Sequence, residues 1–557
     1  MFRTVMILLM AVAVIAQGTY AEDNGPTEKT YFPIVQVGGL ICSPEIQRGI
    51  AFLVRQYNPN VELLRESVPE AGTTPRQTRC DGSESPTSGL PYANKHYLTN
   101  DNALAAYTLE TLGAYVELAD RLRASLSRYN YNQNDFIEVA WGETITWPPY
   151  HAADRIVEQV GPDYVIQEDH LSLTTDPYMC YFYDWSAYAN LAFMAALNEY
   201  NQGHRESALR LHAIEMGKFD DRGWRDKAYW DRGGVYETIG PAWGLYVGAL
   251  IGAPMDELQK LRDVLLSVQD EASGGFRTHY DLHGQRAYPN VETTSLALLA
   301  LDAYRRRVAL EEAIRYLQGE FNPTVGLLRE SPVVWPHRYW LATDNRLAVY
   351  ALQAAGEDEL SAQLLSTLRR PQYGDPYHGL IEVLRGEIVA WPPYTPTQTL
   401  HDQIGEEEIW LETRLEGNRL DDWNQYADLV LFCALRAVWA GDRPEAQRYY
   451  HLAMQMWDGK GFADKGYAGF CEKGECLYET YKLGLALYVA RVIGEPRPAA
   501  VLEALLDKQA PPQATCDGQP CGGGFYTLYD ATGQPRGDTN TETTAHAILG
   551  LAFGLPR

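Results

Sequence analysis

Positive charge is scarce in this chain of 557 residues, in which 47 lysines and arginines stand against 73 aspartates and glutamates. The formal net charge is −26, and the basic residues are scattered rather than clustered. Nucleic acids and anionic membranes both bind proteins through a basic face. The composition therefore argues against either as a partner, and such acidity by itself indicates little about a substrate.

Long hydrophobic runs are missing as well, apart from one at the N-terminus. Arg3 precedes an apolar run over residues 5–16, and Ala21 offers a small residue at a cleavage point. Residues 1–21 are therefore predicted to be a secretory signal peptide. No other stretch approaches the roughly 18 apolar residues that a membrane span needs. We expect an exported protein with no membrane insertion after signal cleavage, a single N-terminal anchor being the minor alternative.

Cysteine is infrequent, with eight residues, and no His-Glu-x-x-His or comparable metal motif occurs. In an oxidising compartment an even number of cysteines favours disulfides. Two pairs lie in short glycine-containing loops and are predicted to be bonded: Cys471 with Cys476, and Cys516 with Cys521. A zinc site made of these four thiolates is the alternative, although we expect neither metal nor cofactor. Cys42 is the expected partner of Cys80, whereas Cys180 and Cys433 have no assigned partner.

The chain does contain an internal duplication. Distinctive phrases of the first half return in the second half: Leu63–Ser67 as Leu327–Ser331, Asp101-Asn102 as Asp344-Asn345, Trp147–Tyr150 as Trp391–Tyr394, Asp184-Trp185 as Asp422-Trp423, Tyr236-Glu237 as Tyr478-Glu479, and Glu292–Thr294 as Glu542–Thr544. Repeats bear on the whole fold. We assign residues 22–307 to the first repeat half and residues 308–557 to the second. Residues retained in both copies are candidates for function.

Apolar residues recur at helical spacing through most of the chain, and no long alternating strand pattern appears. In the first copy, helices are predicted near residues 43–56, 102–113, 115–128, 184–202, 204–217, 237–252, 255–270 and 291–305, with the same series in the second. Very short connections, as at Arg306-Arg307, alternate with long loops rich in Gly, Pro, Trp and Tyr. This alternation predicts an all-α fold, an α/α toroid of helical hairpins, with the functional site on the long-loop face.

One pattern resembles a known superfamily. Gly274-Gly275-Phe276 followed by Glu292-Thr293-Thr294, repeated as Gly523-Gly524-Phe525 and Glu542-Thr543-Thr544, is similar to the Gly-Gly-Phe and Thr-x-x-Ala-Leu pattern of terpenoid cyclases, protein prenyltransferase β-subunits and complement-like thioester domains. The resemblance covers two short segments and implies a helical toroid rather than a reaction. The Asp-x-Asp-Asp, Asp-Asp-x-x-Asp and Cys-Gly-Glu-Gln motifs of those families are absent.

An acidic residue opens each predicted helix that follows a long loop. The eight are Asp101, Asp184, Glu237 and Glu292 with their counterparts Asp344, Asp422, Glu479 and Glu542. Helix capping explains any one of them. However, their neighbours are retained too: Asn102 and Asn345, Trp185 and Trp423, Tyr236 and Tyr478. If these helices form the inner ring, the carboxylates and rings converge on one mouth, where all these residues would bind the ligand.

Such a rim suits a neutral glycan or another small polar ligand, because carboxylates accept hydrogen bonds from hydroxyl groups and sugars stack on aromatic rings. Trp147 and Trp391 are predicted to be rigid aromatic arms, or else wedges that close the long loops. The candidate catalytic carboxyls are Asp101 with Glu292 and Asp344 with Glu542, with Glu143 and Glu387 as possible acids.

The predicted function is therefore a secreted carbohydrate-active protein, either a glycoside hydrolase or a polysaccharide lyase. A non-catalytic glycan-binding or surface-assembly protein is the alternative. A terpenoid cyclase-like isomerase is a second alternative, disfavoured by the missing acid motifs.

Overall fold

The computed structural model describes residues 43–67, 96–129, 131, 136–149, 153–160, 164–170, 183–333, 339–370 and 379–553. Their helices are α1 (Pro44–Gln56), α2 (Thr99–Thr111), α3 (Val116–Arg128), α4 (Ala189–Asn201), α5 (Arg205–Met216), α6 (Lys227–Asp231), α7 (Ile239–Ile251), α8 (Met255–Ser267), α9 (Val291–Glu320), α10 (Ala342–Ala355), α11 (Asp358–Leu368), α12 (Ala427–Trp439), α13 (Arg443–Met454), α14 (Lys465–Glu472), α15 (Tyr481–Ile493), α16 (Ala499–Leu506) and α17 (Thr541–Leu551).

The strands of the same residues are short. They are β1 (Tyr57–Asn58), β2 (Leu63–Leu64), β3 (His96–Leu98), β4 (Ala153–Val160), β5 (Tyr164–His170), β6 (Tyr236–Glu237), β7 (Arg277–Asp281), β8 (Gly284–Pro289), β9 (Phe321–Asn322), β10 (Leu327–Leu328), β11 (Tyr339–Leu341), β12 (Thr397–Ile404), β13 (Glu407–Thr413), β14 (Leu477–Glu479), β15 (Thr515–Cys516), β16 (Gln519–Pro520), β17 (Tyr526–Asp530) and β18 (Pro535–Thr539).

Two kinds of helix alternate along the chain. Helices α2, α4, α7, α10, α12, α15 and α17 are buried on nearly every side, whereas α3, α5, α8, α11 and α13 bury one face only. A helix that is apolar all round needs packing partners on every side. Each fully buried helix except α17 packs against the helix that follows it, so the predicted hairpins are present. The fold is mostly α-helical.

Contacts between the buried helices repeat in the two copies. Helices α2 and α7 pack against α9, and α4 packs against α7; in the second copy α10 and α15 pack against α17, and α12 packs against α15. Helices α9 and α17 also contact each other. One cluster of buried apolar residues runs from Ile46 to Ala303 and another from Ala309 to Ala552.

The prediction of a short connection at Arg306-Arg307 is wrong, because α9 continues without a break from Val291 to Glu320. Arginine is a good helix former, and no glycine or proline stands beside Arg306 and Arg307. The first part of α9 belongs to the apolar cluster of the first copy and the part from Ala309 onward to that of the second.

The all-α prediction missed several small sheets. Four of them have three strands, in the orders β3-β5-β4, β6-β7-β8, β11-β13-β12 and β14-β17-β18. The β3–β5 and β11–β13 pairs are parallel, and the other pairs in these sheets are antiparallel. Each of the four sheets contains a strand that leads directly or within two residues into a buried helix. Parts of the segments predicted to be long loops therefore form small β-sheets at the N-terminal ends of these helices.

The disulfides Cys471–Cys476 and Cys516–Cys521 are present, with Cα–Cα distances of 4.1 and 5.7 Å, so both predicted pairs are confirmed. Cys433 is free and buried in α12. The other three cysteines lie outside the described residues. Among the helices that are described, none is long and apolar enough to cross a membrane.

Candidate functional site

Carboxyl groups from several elements of the second copy meet where its buried helices begin. We call this group the acidic cluster: Glu330 after β10, Asp344 in the first turn of α10, Glu412 in β13, Glu479 at the end of β14, and Glu542 in the first turn of α17. Each of them acts electrostatically on at least one other member. Three of the predicted acids, Asp344, Glu479 and Glu542, are thus brought together.

Close packing of two main chains places Glu479 near Glu542. Gly484 of α15 lies against α17, and a Cβ at this position would stand 2.4 Å from the carbonyl oxygen of His546. Only a residue without a side chain permits that approach. Helices α15 and α17 therefore begin side by side.

Glu330 and Asp344 form a buried pair of carboxyl groups. The Asn540 side chain donates to Glu330 Oε1 at 3.0 Å, and the main-chain N–H of Thr541 donates to the carbonyl of Glu330 at 2.9 Å, which fixes Glu330 against the start of α17. Asp344 is 6% exposed, and its pKa is affected by the neighbouring Glu330. Two carboxylates cannot donate to each other, so any hydrogen bond between them requires a proton on one of them.

The electrostatics of the pair agree with a shared proton. Burial raises the pKa of Glu330 to about 8, and the charges of Glu542 and Asp538 contribute. Burial, together with the charge of Glu330, raises the pKa of Asp344 well above its ordinary value. Two close carboxyls in a buried site titrate as a unit and hold one proton at neutral pH.

Glu542 is the third acid with a strongly shifted pKa. Burial raises it well above the ordinary value, and the charges of Asp344, Glu412 and Glu479 add to this, whereas Arg414 opposes it. Because Asp344 is the largest charged contributor, a proton on Asp344 makes ionisation of Glu542 easier. The position of Glu542 in the first turn of α17 also favours its anion.

A buried lysine stands beside the acidic cluster. Lys482 Nζ lies 2.6 Å from Asp464 Oδ2, 2.5 Å from Glu479 Oε2 and 4.0 Å from Asp428 Oδ1, and its side chain is 2% exposed. Burial by itself would lower the pKa of Lys482, but these three carboxylates together raise it. Lys482 is therefore held as a cation that fixes Glu479 in place.

Two further polar side chains border the cluster. The hydroxyl of Tyr481 donates to Asp428 Oδ2 at 3.0 Å, and its ring centroid lies 5.4 Å from that of His546. His546 Nδ1 lies 3.1 Å from the carbonyl oxygen of Glu542. Tyr481, Lys482 and His546 all come from the starts of α15 and α17.

The first copy has the same arrangement of helices and strands at this place but fewer charged and polar side chains. Asp101 and Glu66 occupy the positions of Asp344 and Glu330, and the Asn290 side chain donates to Glu66 Oε1 at 2.8 Å. However, the residues at the positions of Asp428, Tyr481, Lys482 and His546 are Asn190, Ile239, Gly240 and Leu296. The two copies therefore differ in chemistry at equivalent positions.

Side-chain capping does not account for the retained acids. The cap of α9 is Asn290 and that of α17 is Asn540, while α2 and α10 have no side-chain capping hydrogen bond. The first main-chain N–H groups of α4 and α12 donate to Asp226 and Asp464 at 3.0 and 2.9 Å.

Asp184 and Asp422 lie apart from the acidic cluster. Each precedes a single 3₁₀ turn and forms an ion pair on the surface, with Lys227 at 2.7 Å and with Lys465 respectively. The expectation that they open inner helices is not met, because α4 and α12 begin only five residues later. Glu237 of the first copy is ion-paired with Arg232, and Glu292 lies in the first turn of α9.

Asn102 and Asn345 serve the main chain. Asn345 accepts from the N–H of Leu328 at 2.6 Å and donates to the carbonyls of Leu328 and Leu341 at 3.0 Å each. Asn102 makes the equivalent bonds to Leu64 and Leu98. Both amides are buried and bind the preceding strands to the helix start.

The aromatic residues predicted to bind the ligand pack against other rings. Tyr236 stacks on Tyr280 and Tyr478 on Tyr529, with both predicted rings at most 2% exposed. Trp147 packs edge to face on Trp185, and Trp391 on Trp423, at 5.5 and 5.4 Å between centroids. This geometry favours the wedge interpretation over free aromatic arms.

Glu143 and Glu387 do not join the cluster. Both side chains are exposed. The carbonyl of Glu143 accepts from Asn201 at the C-terminal end of α4, and Gly386, which precedes Glu387, lies against Trp439 at the C-terminal end of α12. The acidic cluster lies at the opposite ends of the buried helices.

Several residues of the site were not selected from the sequence: Glu330, Glu412, Asp428, Asp464, Tyr481, Lys482 and His546. Glu330 carried a signal, since it belongs to the repeated Leu-Leu-Arg-Glu-Ser phrase. Asp464 carried one as well, since Asp226-Lys227 of the first copy returns as Asp464-Lys465. The others differ between the copies or lie in strands, so a search for retained residues passes over them. The described residues include no group of three or more His, Cys, Asp or Glu side chains that could hold a metal ion.

No family model and no curated protein matches the sequence. Among solved structures, the chain is similar to a sugar epimerase from a ruminal bacterium, with 10% sequence identity, coverage of 91% of this chain and 97% of that chain, and a TM-score of 0.16. A score this low establishes neither a shared fold nor a shared activity. The toroid superfamily suggested by the Gly-Gly-Phe pattern stays a prediction.

Proposed function

We propose that this protein is a glycoside hydrolase whose active site is the acidic cluster of the second repeat half. The observation that carries the proposal is the buried Glu330–Asp344 pair of carboxyl groups, both with raised pKa, beside Glu542. Glycosidic cleavage needs a carboxylic acid to protonate the leaving oxygen and a second carboxylate on the other side of the bond. A cluster that holds one proton among close acids can supply both forms at neutral pH.

In this proposal the Glu330–Asp344 pair is the general acid. Burial keeps its proton at neutral pH, so the pair can donate to the leaving group. Glu542 is the base or nucleophile, because protonation of Asp344 and the dipole of α17 both favour its anion. Lys482 and Asp464 orient Glu479, which is placed to accept a hydrogen bond from a substrate hydroxyl.

The charge of the cluster favours hydrolysis over the lyase reaction. A polysaccharide lyase must bind a uronate and neutralise its carboxylate before a proton is removed. Five neighbouring carboxyl groups would repel such a substrate. A neutral sugar, whose hydroxyls donate hydrogen bonds, is the better match.

The first repeat half supports a different role. It retains Asp101, Glu66 and Glu292 but has Gly240 where the second half has Lys482. We infer that it binds glycan without cleaving it, or serves only to support the other half. Non-catalytic binding by the whole protein is the competing function.

Three further proposals concern the location, the fold and the division of the chain. Export after removal of residues 1–21 is supported by the two disulfides, since such bonds persist in oxidising compartments. An α/α toroid is supported by the alternation of fully buried and one-faced helices. The division into halves at residues 307 and 308 is supported by the two apolar clusters.

Reducing-end release from a panel of neutral oligosaccharides, combined with binding to a glycan array, tests the function. We expect release by the wild type, a loss on the order of 10² to 10⁴ in rate for Glu542→Gln, and little change for the matched Glu292→Gln. Binding without release would support the non-catalytic alternative. A protein that neither binds nor releases any of these glycans would exclude both the hydrolase and the non-catalytic binding function.

A further inference from the structure

A cavity of about 920 Å³ lies between the two repeat halves, away from the acidic cluster. It is lined by the C-terminal half of α2 and by α3 of the first half, and by the C-terminal parts of α15 and α17 of the second. Arg491 follows Lys482 by nine positions on α15, which corresponds to about 13 Å along the helix axis. The cavity is therefore a separate site.

Four arginines line this cavity: Arg123 from α3, which pairs with Glu110, Arg306 from α9, Arg491 from α15, and Arg497 after α15. Arg497 donates to Asp302 Oδ2 at 2.6 Å and is 16% exposed. Arg306 and Arg491 donate to carbonyl oxygens at the end of α17, those of Leu551 at 3.3 Å and Leu549 at 2.8 Å. Neither of these two guanidinium groups forms an ion pair with a carboxylate of the described residues.

In this cavity the hydrogen-bond donors of the arginine side chains outnumber the available acceptors. Nε of Arg306 and both Nε and Nη1 of Arg491 and Arg497 are buried and have no acceptor among the described residues. The carboxylates that also line the cavity are Glu110, which pairs with Arg123, and Glu495, which lies 4.0 Å from His451. In a chain with a net charge of −26, an excess of buried positive charge needs a specific cause.

Electrostatics agree with the geometry. Burial, and next the charge of Arg497, lower the pKa of Arg306 to about 9. Burial lowers the pKa of Arg491 to about 10. A bound anion would remove this penalty, because guanidinium groups bind carboxylate and phosphate through paired N–H donors.

The cavity also has an aromatic wall. The rings of Tyr107 and Trp141 line it and contact each other at 5.6 Å between centroids. Its volume is in the range of sites for drug-sized ligands and exceeds what a bare inorganic ion occupies.

We propose that this cavity binds a small molecule that carries an oxyanion, a carboxylate or a phosphate, attached to a ring. The oxyanion contacts Arg306 and Arg491, and the ring lies against Tyr107 and Trp141. Binding joins the two halves of the chain and is independent of the acidic cluster.

Thermal unfolding of the full chain tests the proposal, with sodium glucuronate and inorganic phosphate as probes and sodium chloride at equal ionic strength as the reference. We expect at least one probe to raise the Tm by roughly 2–4 °C at saturation over the chloride reference. A shift with glucuronate alone assigns a carboxylate, and a shift with phosphate alone assigns a phosphate. No shift with either probe overturns the proposal.

Variants locate the effect. Arg491→Met should abolish the shift, and Arg491→Lys, which keeps the charge but loses the fork of donors, should reduce it. Arg448→Met, at an exposed arginine of α13, should retain it in full. Near-ultraviolet circular dichroism checks that each variant is folded. A full shift in a folded Arg491→Met protein would overturn this site, whereas a full shift in Glu542→Gln would show that it does not depend on the proposed catalytic residue.

Discussion

Two influences on a carboxyl group compete at Asp344. Its place in the first turn of α10 favours the anion through the helix dipole, whereas burial beside Glu330 favours the protonated form. Its pKa is raised well above the ordinary value, so burial and the neighbouring charge prevail. Asp422, which is partly exposed and paired with Lys465, has a lowered pKa. Two acids that look equivalent in sequence therefore have opposite protonation behaviour.

Replacing Asp344 with Asn keeps the size of the side chain and removes its proton chemistry. We expect glycan turnover to fall by on the order of 10² to 10⁴, because the general acid is lost. The matched change Asp101→Asn in the first half should leave turnover nearly unchanged. Steady-state release kinetics measure both. If both variants kept full turnover and only lost thermal stability, the pair would be structural.

Stability should depend on pH through Glu330. Its pKa is 4.5 as a free group and about 8 in the folded chain. Between these values the folded state binds more protons than the unfolded chain, so the free energy of unfolding falls as pH rises from about 4.5 to about 8. Urea unfolding at several pH values measures this slope. Glu330→Gln should reduce the slope, and the part that remains comes from Asp344 and Glu542, whose pKa values are also raised. The exposed Glu387→Gln should leave the slope as it is; an unchanged slope in Glu330→Gln would contradict the assignment.

At the scale of elements, the start of α15 is held by one buried cation. Lys482 bonds to carboxylates from two other elements and to Glu479 at the end of the adjacent strand. The strand β14, the helix α15 and the turn that holds Asp464 are thereby tied together. In the first copy Gly240 stands at this position and faces the Trp224 ring, so this position carries no cationic side chain.

Lys482→Met should destabilise the chain by about 3–5 kcal/mol, because it leaves buried carboxylates without their cation. Lys465→Met breaks the exposed pair with Asp422 and should have little effect. Urea unfolding of both variants gives the comparison. An equal loss of unfolding free energy in the two variants would show that the buried ion pairs of Lys482 stabilise the chain no more than the exposed pair does.

At the scale of the whole molecule, a buried ion-pair network joins the halves. Asp302 of α9 accepts from Arg497, and Glu503 of α16 accepts from Arg305 at 2.8 Å. Asp302 is 4% exposed. These ion pairs therefore lie between the two apolar clusters, and Arg497 also lines the cavity described above.

Asp302→Asn should lower the free energy of unfolding by about 3–5 kcal/mol, since Arg497 would keep a buried charge without its carboxylate partner. Weakening these ion pairs should also broaden the unfolding transition, because the two halves would unfold less cooperatively. Calorimetry detects both effects. The exposed Asp263→Asn serves as the control and should change neither quantity.

The sequence by itself determined the helical periodicity, the duplication, the positions of most helices within a few residues, and two disulfides. These are local properties, because apolar spacing and loop length act between residues close in the chain. Retention in both copies also drew attention to Asp344, Glu479 and Glu542.

Only the tertiary structure decided which acids meet and what they do. Glu330 joins Asp344 because β10 and the start of α17 bring distant segments together, and no local pattern encodes that contact. Lys482, Tyr481 and His546 escaped notice because they differ between the copies, and the small sheets escaped because their strands pair across long intervals. A pKa depends on burial and on neighbouring charge in space, so the protonation of these acids follows from packing rather than from the order of residues.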